Sequence, residues 1–405
     1  MQLIRPTDAD ELARALAEAS HGGYGVEIVG SATKQGVGRP IEVETTITTR
    51  GLRGITLYEP TEMVISAFSG TPVANLEVEL DKHNQRLAFE PIDLGPMLGG
   101  AAGEGTIGAV FATNLSGARR NYVGAARDHL LGIRAVNGRG EAFKSGGRVM
   151  KNVTGYDLCR GLAGSWGTLC VFTEVTMKAL PQAEETRTLI ISGQPDELAV
   201  ELMCAAMCTP YEVSGTMHLQ QSLVERMRNE DLNGLGTAIT ALRIENFSNS
   251  VAYRSDQLKK RFSAYGDIIE LDHRASTAFW RELQQLSFLA SSANPVWRIS
   301  TAPRTAPRVV RAIAGYMDCS AAYDWSGGLV WLEVPASVDA GAADIRRVIA
   351  TNGGHATLIR AEREVRQAVE VFQPLETGLA RLTRGLKAAF DPAGILNPGR
   401  MYGDV

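Results

Sequence analysis

The chain has 405 residues, more than one ordinary hydrophobic core holds, so two domains are expected. Its 44% apolar and 21% charged residues are typical of a globular protein, and a net charge of −4 argues against nucleic acid as the main partner. Five irregularly spaced cysteines, Cys159, Cys170, Cys204, Cys208 and Cys319, match no zinc or iron–sulfur pattern and suit a reducing compartment.

The start has no basic segment followed by an apolar run, and the longest uncharged stretch, Gly105–Ala118, is glycine-broken and too short to span a bilayer. A cytoplasmic protein is expected. The first helix is expected over Thr7–Ala19, opened by a T-x-x-D start with Leu12 and Leu16 on one face. A short apolar strand, Val26–Val29, runs into GSATKQGVG. This turn matches neither GxGxxG opening a helix nor GxxxxGK[ST]: Gly30 and Gly36 are wrongly spaced, and the following RPIEVETTITT alternates like a strand. It is either a plain hairpin loop or an anion nest of inward-pointing backbone N–H groups. Gly54–Ser69 looks extended around Glu59-Pro60, and Thr71–Asn84 reads as a helix with Leu76 and Leu80 four apart.

Gly95–Gly117, GPMLGGAAGEGTIGAVFATNLSG, holds seven glycines in twenty-three residues, with one acidic side chain and no Lys or Arg. Ordering so much glycine costs entropy, which is tolerated where a large flat ligand lies against bare backbone; the alternative is a surface loop. Ile107, Val110, Phe111 and Leu115 speak against a loop. The run lacks the lysine and the spacing of a phosphate loop on a helix N-terminus. Next come a hairpin, Arg134–Asn137 and Glu141–Lys144 about Asn137-Gly138, and a short helix from Tyr156 to Leu162. Leu169, Val171, Thr173, Val175 and Met177 then alternate along a strand that stops at Pro181.

Beyond Pro181 the glycine clusters end. Strands are expected at Thr188–Ser192, Ala238–Glu245, Ile268–Leu271, Val296–Thr301, Leu329–Val334 and His355–Ile359. Helices are expected at Asp196–Met207, Ser250–Ala264, Thr277–Leu289, Arg308–Met317 and Ala340–Ala350, with a last one ending near Phe390. The expected fold class is α+β. Residues 1–181 form a first domain, 182–385 a second with a mainly antiparallel sheet under helices, and 386–405 a tail rich in Pro and Gly.

In order, strand–GSATKQG–strand, the EP step, GTIGA…NLSG…RD, VMKNVTGYDL, GSWGTL and the closing AFDPAGILNPGRMY resemble the vanillyl-alcohol-oxidase/p-cresol-methylhydroxylase (PCMH) type of FAD-binding domain. Within that superfamily, VMKNVTGYDL, FDPAGILNPGRMY and GGHATLIRA are most similar to the FAD-binding E-type subunits of glycolate oxidase. The resemblance implies a two-subdomain FAD cradle, a cap domain, and a tail returning to the cofactor. Gly30, Ser31, Ala32, Thr33 and Lys34 would offer backbone N–H groups to the diphosphate, with Lys34 either adding charge or solvated. Thr106, Ile107 and Gly108 would lie against the flavin or the diphosphate, with Ser116 and Gly117 on the far side. Tyr156 and Asp157, then Gly164, Ser165 and Gly167, then Asn397 and Arg400 complete the implied set, while Asp128 holds a loop. Two departures matter. Gly108-Ala109 stands where the family has a Gly pair, and Ala32-Thr33-Lys34 stands where covalent relatives carry His, so non-covalent FAD is expected. No metal is implied.

Oxidation of a 2-hydroxy acid by a flavin needs a cation for the carboxylate, a base or metal for the hydroxyl proton, and an open flavin face. The HGxGxxH-like cluster of the catalytic relatives is missing: His21, His83, His129, His218, His273 and His355 are nowhere paired at ligand spacing. The candidates are His355 in the cap, Arg119, Arg120 and Arg360 for a carboxylate, and Lys151 near the flavin pyrimidine edge. Each has a structural or solvated role as its alternative, and no catalytic base is assigned. Three functions stay open. The leading one is an FAD-carrying subunit of a glycolate oxidase complex, beside a catalytic FAD subunit and an iron–sulfur subunit that passes electrons toward quinone, with membrane contact only through partners. The second is a self-sufficient flavin oxidoreductase on a small hydroxy acid or alcohol. The third is a cofactor-free assembly protein of the same fold.

Overall fold

The computed structural model describes residues 2–149 and 155–403, and among these the chain is laid out on three principal β-sheets. The first is parallel, with Gln2–Ile4 and Val26–Val29 flanking Thr45–Thr48. Helix Ala9–Gly22 packs beside it. The cap is Asp8, whose carboxylate accepts from Glu11 N, while Thr7 donates to the Glu11 carboxylate through both N–H and Oγ1. The sequence pattern placed the cap one residue early because both residues take part in one reciprocal arrangement. Leu12, Leu16 and Ala19 bury against Val26, Ile47 and Leu396, and Leu396 bridges Val26 from the tail.

The second sheet is antiparallel, in the order Ile55–Glu59, Val64–Phe68, Cys170–Lys178, Leu130–Asn137, Ala142–Gly146. The turn about Asn137 is wider than the Asn-Gly pair suggests: Asn137 Oδ1 accepts from both Arg139 N and Glu141 N. Helix Val73–Asp81 is shorter than expected, with Pro72 standing before its first turn. Within the glycine run, Ile107–Thr113 forms a short helix, and Ile107 and Phe111 join Leu76, Leu80, Val175 and Met177 in one core.

The third sheet has eight strands, ordered Ile268–Leu271, Glu185–Ser192, Ile239–Asn246, Val213–Leu219, Ser320–Asp324, Leu329–Glu333, Val296–Ser300, His355–Arg360. Each pairing of neighbouring strands in it is antiparallel. Val213–Leu219 and Ser320–Asp324, which sit in its middle, are absent from the sequence-based expectation. Helices Asp196–Met207, Ser248–Phe262, Ala306–Ala314 and Ala342–Asn352 pack on one face. The other face carries Glu245, Arg243, Asp324, Trp331 and Arg298 in register and looks onto the first two sheets. No described helix is long and apolar enough to cross a membrane.

Candidate functional site

Two motifs far apart in sequence meet at one cleft. Strand Val26–Val29 delivers the loop Gly30–Gln35, and one flank of helix Ile107–Thr113 lies opposite. With Ser69, the Trp166-Gly167 turn and Cys170–Phe172, they line about 670 Å3, open mouth included. Loop and helix start touch: a Cβ on Gly30 would run into Thr106 Oγ1 and lie 3.2 Å from Thr106 Cβ and Cγ2, so glycine is what lets them meet. Ala32 takes φ +61, a left-handed backbone that costs a non-glycine residue about 1–3 kcal/mol and persists where its surroundings enforce it. The helix does not offer its N-terminus to an anion, because the N–H groups of Ile107 and Gly108 donate to the carbonyls of Thr71 and Ser69.

The cleft suits a dinucleotide diphosphate. No acidic side chain lines it, and its charged groups are Lys34 and Arg400. Lys34 is buried rather than solvated; burial lowers its ammonium and Asp93 opposes that. Arg400 donates to the Lys34 carbonyl and faces Glu27, with burial lowering its guanidinium to about 10. Ser69 Oγ at the cleft and Thr106 Oγ1 behind Gly30 are buried without a hydrogen-bond partner, a condition that folded proteins rarely leave. Bare loop backbone, two cations and the unsatisfied Ser69 hydroxyl are what phosphate and ribose oxygens would meet.

The residues implied by the motifs divide sharply. Gly30, Ser31, Ala32, Thr33, Lys34, Gly108, Gly167 and Arg400 line the cleft. Thr106 stands behind Gly30, and Ile107 faces the core. Asn397 is a clasp: its Oδ1 accepts from Ile28 N at 2.7 Å and its Nδ2 donates to Trp166 O at 2.8 Å, holding the loop's strand to the Gly167 turn. The structure does not bring Ser116, Gly117, Gly164 or Tyr156 to this cleft. Ser116 Oγ accepts from Ala126 N, Gly117 N donates to the carbonyls of Phe89 and Glu90, and Gly164 N donates to Phe111 O. Tyr156 is 90% exposed. Asp157 caps helix Leu158–Leu162, and Asp128 holds its loop by accepting from Ala125 N. Lys151 lies outside the described residues.

A second cluster gathers on the face of the large sheet. Trp325 donates from Nε1 to the Gly117 carbonyl, and the guanidinium carbons of Arg120 and Arg298 lie 4.2 and 5.1 Å from the centre of its ring. Arg298 comes from the middle of Val296–Ser300, next in register to Trp331, and His355 stands opposite Ser300 on the same face. Burial, with Arg120 nearby, lowers the Arg298 guanidinium to about 10. Partial desolvation and then Arg298, Arg120 and Arg346 hold the His355 imidazole below its usual value. Asp324, beneath them, accepts from Trp325 N and is pushed up to about 7 by burial. Arg119 and Arg360, the other carboxylate candidates, are engaged instead. Arg119 bridges Glu90 and Glu245, and Arg360 donates to Glu333 and to the carbonyls of Asn294, Met97 and Leu289.

Those ion pairs belong to a buried lattice that ties the large sheet to the residues before and after the glycine run. Glu90 meets Arg119 and Arg243, and Glu245 meets Arg119, Arg86 and Ser214 Oγ. Burial works to raise both carboxyls, and the surrounding guanidiniums outweigh it; Glu245 ends well below the usual range. Arg298, Asp324, Glu90 and Glu245 escaped notice in the sequence. For Arg298 and Glu245 the available signal was charge inside an apolar strand, as in VWRIS and ITALRIEN.

Residues 2–146 match the family model described as an FAD binding domain. The chain is 33% identical over 380 residues to the glycolate oxidase subunit GlcE of Escherichia coli, covering 93% of each. It is 26% identical over 322 residues to the glycolate oxidase subunit GlcD of Bacillus subtilis, covering 73% of this chain and 68% of that one. Among solved structures, p-cresol methylhydroxylase with substrate bound superposes with a TM-score of 0.74 at 12% identity, over 99% of this chain and 88% of the other. The fold is thus shared with p-cresol methylhydroxylase along nearly the whole chain, and the chain belongs to the GlcE family of FAD-dependent oxidoreductase subunits.

Proposed function

We propose that this chain carries FAD non-covalently in the Gly30–Gln35 cleft and works in a complex that oxidises a small 2-hydroxy acid, glycolate in the first instance, to the 2-oxo acid. The observation that carries the substrate class is the pair of guanidiniums, Arg298 and Arg120, ranged over Trp325 on the sheet face turned toward the FAD-binding part. Bound FAD supplies the hydride acceptor. Arg298 and Arg120 bind and orient the carboxylate, fixing the hydroxyl-bearing carbon. His355, kept neutral beside them, takes the hydroxyl proton. The diphosphate is held by the backbone of Gly30–Lys34 with Lys34 and Arg400 as counter-charges, and Asn397 fixes the loop's strand. Residues 1–181 are the FAD-binding domain, 182–385 the cap, and 386–405 the returning tail.

Support for non-covalent attachment comes from the loop, which has no His, and from Cys170, the cysteine at the cleft, whose thiol burial pushes up and so keeps protonated. Five cysteines without iron–sulfur spacing leave onward electron transfer, toward quinone, to an iron–sulfur subunit beside a catalytic flavin subunit.

The test is anaerobic addition of glycolate to the assembled complex, wild type against Arg298→Met. Bleaching of the flavin is expected in the wild type, and a KM raised by roughly thirtyfold or more in the variant at unchanged FAD content. An unchanged KM would remove the carboxylate role. Bleaching of the isolated chain by glycolate would favour the self-sufficient oxidoreductase.

A further inference from the structure

The hairpin between strands Ser320–Asp324 and Leu329–Glu333 turns through left-handed backbone, at φ +53 for Trp325, +58 for Ser326 and +97 for Gly327. Turns of that hand ordinarily use Gly or Asn, and a bulky side chain there is an outlier. Such backbone persists where its surroundings enforce it, and it gathers at functional sites. Here the surroundings are specific. Asp324 Oδ1 accepts from Trp325 N at 2.6 Å, Thr216 Oγ1 accepts from Ser326 N at 3.0 Å, and Trp325 O accepts from Gly328 N. Asp324 is 2% exposed, and among the described residues its carboxyl accepts from no other donor.

What the turn achieves is the place of one ring. The Trp325 indole donates from Nε1 to Gly117 O and lies beside the guanidiniums of both Arg120 and Arg298. Among the described residues neither guanidinium donates a hydrogen bond or joins an ion pair, so the ring is what orders them. Their donors stay available to an anion. We propose that Asp324 is a positioning residue for the substrate carboxylate: its side-chain oxygen fixes the turn, the turn fixes Trp325, and Trp325 holds Arg120 and Arg298 in line. This rests on the reading above that the two arginines bind that carboxylate. The role needs an acceptor oxygen and no charge. The charged groups around Asp324 are Glu90, Arg243 and Arg298, and burial pushes its carboxyl up to about 7. A neutral side chain of the same shape is therefore accommodated.

Three variants are compared with wild type in the assembled complex, and each full chain, loaded with FAD, is titrated with glyoxylate, the 2-oxo acid product, by calorimetry. Asp324→Ala removes the acceptor for Trp325 N, Asp324→Asn keeps it without the charge, and Thr216→Val removes the acceptor for Ser326 N at nearly the same shape. The expected result is a KM for glycolate and a Kd for glyoxylate raised about tenfold in Asp324→Ala and Thr216→Val, at little change in kcat and FAD content. Asp324→Asn stays within about threefold of wild type on both constants. Asp324→Asn and Thr216→Val keep their packing, so the comparison stands even where Asp324→Ala lowers the melting temperature. A wild-type KM in Asp324→Ala, or an Asp324→Asn chain as impaired as Asp324→Ala, overturns the proposal. So does a loss shared evenly among KM, kcat and FAD content, the mark of a residue that only supports the fold. Arg298→Met separates the two readings. If it leaves KM unchanged, the carboxylate site falls and this role with it; if it raises KM while Asp324→Ala does not, only the positioning role falls.

Discussion

Replacing Gly30 by alanine probes the contact on which the cleft depends. The new Cβ would run into Thr106 Oγ1 and lie 3.2 Å from Thr106 Cβ and Cγ2. Thr106 is 1% exposed and begins a helix whose next two N–H groups are fixed to Thr71 and Ser69, so it has little room to retreat. Overpacking of this kind costs about 1–3 kcal/mol, which is roughly 5–150-fold if expressed in FAD affinity. Gly36 in the same loop is the control: a Cβ there would lie 3.8 Å from Leu98, in ordinary contact. FAD affinity is measured by titrating the apo chain and following flavin fluorescence; strain in the fold is measured by the melting temperature of the apo chain. Gly30→Ala should lose affinity and melt early, and Gly36→Ala should do neither. Thr106→Ala removes the colliding atom, so Gly30→Ala/Thr106→Ala should recover most of the melting temperature. Equal behaviour of the two glycine variants, or no recovery in the double variant, would refute the reasoning.

Other consequences follow from the same contacts. Asn397→Ala leaves Ile28 N and Trp166 O buried without partners, so unfolding in urea should show a loss of about 2–4 kcal/mol, with FAD affinity falling in parallel. The Glu90 and Glu245 carboxyls lie below their unfolded value, so their contribution is complete above the ordinary glutamate range, about 4.3, and is lost as pH falls through the folded value. Asp324 runs the other way: raised to about 7, it favours the protonated folded state, so its contribution shrinks as pH rises toward 7. A melting curve taken from about pH 8 down to about pH 2 should drop at the acid end, below about pH 4, and Glu245→Gln should both lower the plateau and flatten that drop. Breaking one partner of such a buried lattice costs about 3–5 kcal/mol, and a Glu245→Gln chain as stable as wild type would contradict the ion-pair assignment.

The cleft proposed for FAD could be assembled from the sequence motifs because it is made of backbone. GSATKQG, GTIGA, GSWGTL and NPGR each mark places where side chains must be small or the chain must turn, and such demands show as glycine whatever the tertiary contacts. Their order along the chain carried the fold class. Side-chain roles were less legible. Asn397 looked like a cofactor contact and is a clasp, since a conformationally required asparagine and a ligand-binding one look alike in sequence. Ser116 and Gly117 belong to the same motif as Gly108 yet turn elsewhere, Ser116 toward Ala126 and Gly117 toward Glu90 and Trp325, because the short helix between them carries the chain across the core. Val213–Leu219 and Ser320–Asp324 were missed because central strands bury both faces: Ser214, Thr216 and His218 are all buried, each with a side-chain hydrogen bond, so polar residues there do not mark a solvent face. Arg298 and Asp324 could not be paired from sequence, since strand order alone brings them onto one face.

The central claim, that the cleft holds FAD and holds it without a covalent bond, is tested most directly by the absorbance spectrum of the purified chain before and after acid precipitation. The expected result is a flavin spectrum in the native protein that passes entirely to the supernatant. Flavin remaining with the pellet would contradict non-covalent binding, and a colourless chain that takes up no added FAD would contradict the cofactor site itself.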